Sequence, residues 1–82
     1  MKANNEIHEK LRKIISGTFE INEEEINLES SQSTIERWDS IGHLKLVMAV
    51  ESEFGIEFRT EKIQKLISVK MLEEEILNEH KP

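Results

Sequence analysis

The chain has 82 residues and no cysteine, and its 17 Asp and Glu against 11 Lys and Arg give a formal net charge of −6. A chain of this length forms one domain, residues 1–82, which buries only somewhat more than ~60% of its unfolded surface, so its core is small and a deep internal catalytic site is disfavoured. The acidic balance repels phosphate backbones and anionic lipid, which excludes nucleic acid and points to basic protein partners.

The first element is an amphipathic helix. Ile7, Leu11, Ile14 and Ile15 recur at helical spacing, which predicts a helix from Asn4 or Asn5 to Gly17 with Glu6, Glu9, Lys10, Arg12 and Lys13 on its polar side. From Gly17 to Trp38 no period is sustained, and Ser30-Ser31-Gln32-Ser33-Thr34 is a turn-forming cluster. Loops of this length are uncommon in small domains. Ile21, Ile26, Leu28 and Ile35 give it a reason to be ordered, as apolar residues that pin a strap onto the helices, with a helical turn at Glu23-Glu24-Glu25.

A second helix is predicted from Ser40 to Phe54, stopped by Gly55, because glycine takes the positive φ of a C-cap without penalty. Ile56 and Phe58 follow in an extended stretch. Thr60 is the expected N-cap of a short third helix, Glu61 to about Leu66, with Ile63, Leu66 and Ile67 turned inward. Ser68 caps a fourth, in which Val69, Leu72 and Ile76 face the core and Glu73-Glu74-Glu75 covers the solvent side. No segment alternates with period two, so the fold class is all-α, a small four-helix bundle with a long first loop and a short third helix.

The second helix carries two apolar stripes. With Ser40 at zero and ~100° per residue, Leu46, Val50, Phe54 and Val47 span ~240° to ~340°, a core face. Ile41, Leu44 and Met48 fall at ~40° to ~100°, and Glu51, at ~20°, lies between the stripes beside the serine. One reading makes the second stripe an exposed docking surface, where methionine suits varied partners; the other packs it against the loop or the third helix. Ser40 is open in the same way. Asp39-Ser40 suffices as a helix cap, yet the positive first turn also suits a phosphodiester on Ser40, and Asp39 can cap while Ser40 is modified.

With Asp39-Ser40-Ile41 at the start of that helix and Leu46-Val47-Met48-Ala49-Val50-Glu51-Ser52-Glu53-Phe54-Gly55-Ile56-Glu57-Phe58 following, the chain resembles the acyl carrier protein family over nearly its whole length. The resemblance implies a carrier, not an enzyme. It implies a covalent 4′-phosphopantetheine on Ser40, added from coenzyme A by a phosphopantetheinyl transferase, with acyl groups borne as thioesters on a thiol that this cysteine-free chain cannot itself supply. The partners expected are acyl-activating ligases or synthase enzymes with basic docking patches, in fatty acid biosynthesis or specialised acyl metabolism, and the angular reading offers Ile41, Leu44, Met48 and Glu51 as the surface they meet; the chain itself reads as a cytoplasmic monomer.

Two residues depart from the pattern of fatty-acid-synthesis carriers. Gly42 and Lys45 stand where those carriers have acidic residues, which makes a specialised pathway as plausible as bulk lipid metabolism. An aminoacyl carrier, D-alanyl or peptidyl, and an unmodified acidic helical interaction module are the alternatives. His43, at ~300° on the core arc, reads as structural. His8, His43 and His80 have no metal-site spacing, so no metal is expected. Met1 to Glu6 lacks an apolar signal core and no run approaches the ~18 apolar residues of a span, so stable membrane insertion is not expected.

Overall fold

A computed structural model describes residues 2–79, with side chains from Glu6 onward. The chain runs α1 (Lys2–Phe19), a 3₁₀ turn (Glu23–Glu25), α2 (Ser40–Phe54), α3 (Thr60–Ile63) and α4 (Val69–Glu79). The fold is all-helical, with four helices and no strand among the described residues. An isolated antiparallel bridge joins Ser31 to Ser68. His80 and Pro82 lie outside the described residues.

The helix α1 passes through Gly17, where a stop was expected, and ends at Phe19. Glycine in a helix interior costs roughly 0.5–1 kcal/mol against alanine. Continuing brings Phe19 into the core on the row of Ile7, Leu11 and Ile15, all buried, and a buried phenylalanine contributes about 1.5–3 kcal/mol. Burial therefore outweighs propensity, and the turn comes one residue later, where Glu20 adopts φ 58°.

The long loop is a strap. Ile26, Ile35 and Trp38 are buried and Ile21 packs against the core, whereas Leu28 is exposed and does not serve as the expected pin. Buried Ser30 takes its place through its backbone and hydroxyl. Its Oγ accepts from Asn27 N at 3.0 Å and its carbonyl accepts from Val69 N at 2.9 Å. Leu28 O accepts from Lys70 N at 3.2 Å, and Ser68 Oγ from Met71 N at 3.2 Å. The strap and Ser68 thus satisfy the first N–H groups of α4, which no intrahelical carbonyl can reach.

The third helix is shorter than expected and Arg59 occupies its N-cap, with no side-chain cap; Thr60 is its first residue. Leu66 is buried as expected, whereas Ile67, beyond the end of the helix, is exposed and not turned inward. In α4, Val69, Leu72 and Ile76 are fully buried. The acidic run does not form a purely solvent face. Glu73 pairs with His8 of α1, and buried Glu75 accepts from Lys62 Nζ at 3.1 Å. Those carboxylates tie α4 to α1 and to α3, and Glu74 alone of the run is exposed.

Gly42 and Gly17 make opposite demands. A Cβ on Gly42 would sit 2.4 Å from Arg37 O and 2.8 Å from Phe19 Cε1, whereas a Cβ on Gly17 meets nothing within 4 Å. Urea unfolding of Gly42→Ala should show a loss of about 1–3 kcal/mol. Gly17→Ala should gain roughly 0.5–1 kcal/mol.

Candidate functional site

The candidate site is the N-terminal turn of α2. Asp39 takes an extended backbone at the N-cap, and its Oδ1 accepts from Gly42 N at 2.7 Å. His43 N bonds back to Asp39 O at 2.7 Å, so the helix is closed from its first turn. Capping is therefore the work of Asp39, and the exposed Ser40 at the first helical position is left out of it. The hydroxyl stands at the positive end of a 15-residue helix.

The turn is anchored from below by aromatic side chains. Trp38, immediately before the cap, is almost wholly buried, with its ring stacked on Phe19 at 5.6 Å between centroids and on His43 at 6.2 Å. Trp38 Nε1 donates to His43 Nδ1 at 2.9 Å. An indole N–H can only donate, so Nδ1 is the bare nitrogen and Nε2 carries the proton. That proton goes to Ile63 O at 2.6 Å. His43 is thus a neutral, doubly engaged spacer between the loop and α3, in agreement with its structural reading. No helical-wheel argument pairs it with Trp38, because that partner lies outside the helix.

The second stripe of α2 faces solvent. Ile41, Leu44 and Met48 are 68%, 56% and 67% exposed, which decides against their packing on the loop or α3. Lys45 is exposed beside them, while Gly42 is buried under the Arg37 carbonyl and Phe19. The missing carboxylate at position 42 is therefore a packing requirement. Glu51, half-buried, has its Oε2 occupied by Phe58 N at 2.8 Å, and its carbonyl accepts from Gly55 N and Ile56 N at the end of the helix. The structure gives Glu51 a role in holding the connection to α3 that its position between the stripes did not reveal. Gly55 takes φ 64° there as the left-handed C-cap.

The chain is 36% identical over 64 residues to an acyl carrier protein of Petrotoga mobilis, covering 78% of this chain and 75% of that protein. An acyl carrier protein of Coprothermobacter proteolyticus is likewise 36% identical, with 78% of each chain covered, and one from Thermosynechococcus vestitus is 34% identical over 78% of this chain and 79% of its own. The chain belongs to the acyl carrier protein family. No protein-family model matches it. Membership makes it a carrier rather than an enzyme. Among the described residues no helix is long and apolar enough to cross a membrane, and no group of three or more His, Asp or Glu could hold a metal ion.

The buried donor-acceptor chain from Trp38 to Ile63 supplies a stability test. His43→Phe keeps a ring but leaves the indole N–H and the Ile63 carbonyl without their partner, so urea unfolding should report a loss of about 2–4 kcal/mol.

Proposed function

We propose that Ser40 bears a 4′-phosphopantetheine arm and that this carrier presents acyl groups on it, as thioesters, to partner enzymes. The observation that carries the reading is an exposed hydroxyl at the first position of α2 that takes no part in the cap, because Asp39 does that work. The residues fit the group. A phosphodiester on Ser40 sits at a helix N-terminus, where backbone N–H dipoles favour negative charge. The bound arm supplies the thiol on which thioester chemistry depends.

The chain's own residues do three things around that point. Asp39 holds the first turn closed, Trp38 and His43 hold it against the loop and α3, and the exposed stripe of Ile41, Leu44 and Met48 offers apolar contact one to two turns along the same helix. An enzyme docked on that stripe would have Ser40 at the edge of its footprint. The contributions of α1, the strap, α2 and α4 to one cluster of buried residues support reading the whole chain as a single carrier domain. Lys45 on the border of the stripe replaces the expected negative charge with a positive one. At a solvated rim such a reversal changes encounter rate and partner choice more than affinity, and it supports a specialised acyl pathway over the general fatty-acid enzymes.

Incubation with coenzyme A and a broad-specificity phosphopantetheinyl transferase should raise the intact mass by one arm, and Ser40→Ala should abolish the gain. An unchanged wild-type mass beside an active control carrier contradicts the reading. Leu44→Asp and Met48→Asp should each lower kcat/KM for the transferase on the order of tenfold, about 1.4 kcal/mol, with urea midpoints unchanged because both side chains lie in solvent.

A further inference from the structure

We infer that His43 is a specificity-determining residue which closes the seam between α2 and α3 and keeps the acyl cargo outside the bundle, so that the carrier suits short or polar acyl groups. The inference rests on the attachment of cargo at Ser40. A fatty chain tethered there lowers its free energy by leaving water, and it enters the protein wherever a route is cheap. The inward arc of α2 leads from Ser40 to His43 one turn on, and then to the buried Leu46, Val47 and Val50. A route along α2 toward α3 therefore starts at the His43 ring.

That ring is held at both nitrogens. Nδ1 accepts from the buried Trp38 indole at 2.9 Å and Nε2 donates to Ile63 O, at the last residue of α3, at 2.6 Å. Parting α2 from α3 here separates Nε2 from Ile63 O, and turning the ring aside also strands the Trp38 N–H. Polar groups left unpaired inside a protein cost more than their hydrogen bonds contributed, and an alkyl chain offers them no replacement. Nor does α2 have room to part from α3 by moving toward the loop, because even a Cβ on Gly42 would collide with Arg37 O and the Phe19 ring. Trp38 is itself stacked between Phe19 and His43, so the imidazole is held across its face as well as at both nitrogens.

The test loads the full chain from acetyl-, hexanoyl- and decanoyl-coenzyme A with a broad-specificity transferase, and intact mass verifies each product before anything else is read. Melting temperature and the rate of thioester cleavage by hydroxylamine are then measured. The expected result is one melting temperature and cleavage rates within about twofold across the series, since no chain is sheltered. His43→Ala, checked for folding by its own melting curve, should introduce a chain-length dependence, with the decanoyl form cleaved at least several-fold more slowly than the acetyl form. A wild-type melting temperature that rises with chain length, or decanoyl cleavage slowed on the order of tenfold, about 1.4 kcal/mol of protection, overturns the inference. The wild-type series can overturn the inference even where His43→Ala fails to fold, and a folded His43→Ala that shows no chain-length dependence overturns the role given to His43. An unmodified mass overturns the Ser40 reading itself, which separates the two failures.

Discussion

The burial of Trp38 is the constraint on which the rest of the structure depends. Its ring lies between Phe19, at the end of α1, and His43, in the first turn of α2, and its N–H is consumed by the histidine. A buried indole contributes a large apolar area but carries a donor that has to be matched. Here the match is an imidazole whose other nitrogen reaches the α3 backbone. One side chain thereby joins α1, the loop, α2 and α3. The residue after it, Asp39, is fixed as the cap, and the residue after that, Ser40, is fixed at the surface.

A second set of polar contacts makes the long loop part of the bundle. Its backbone carbonyls at Leu28 and Ser30 accept from the first N–H groups of α4, and Gln32 N donates to Ile67 O at 3.0 Å. The loop gains an ordered path from these bonds, and α4 gains partners for groups that would otherwise need water. Arg12 extends the same pattern from α1 by donating to Glu23 O at 2.7 Å. The strap therefore holds Trp38 in place from the N-terminal side while α2 holds it from the other. This rigidity suits the function proposed for Ser40, since a point of attachment on a stiff helix start would present its cargo in a defined direction.

Much of this was legible in the sequence wherever a local rule and the tertiary structure agree. The limits of α2 follow from Asp39 and Gly55, because a cap and a left-handed stop are properties of the residues themselves. The two stripes of α2 follow from spacing, although spacing alone could not say which was exposed. The failures fall where distant partners decide. Gly17 reads as a stop, yet α1 continues because Phe19 has Trp38 to stack on. Glu73 and Glu75 read as solvated, yet His8 and Lys62 wait for them on α1 and α3. Leu28 reads as a buried pin, yet the loop is held there by the backbone hydrogen bonds around Ser30, which hydropathy does not report. At the candidate site, the Asp39 cap was readable from residue order alone, whereas the freedom of Ser40 from that cap, the engagement of Glu51 by Phe58 N and the steric need for Gly42 required the fold.

The account stands on Ser40 as the point at which this fold offers a group for modification. Fragment-ion mass spectrometry of the protein after reaction with coenzyme A and a phosphopantetheinyl transferase tests it most directly, because it locates the added group along the chain. The account predicts a single addition on Ser40, next to the Asp39 cap. An addition on another residue, such as Ser33 or Ser52, or none at all beside an active control carrier, would contradict it.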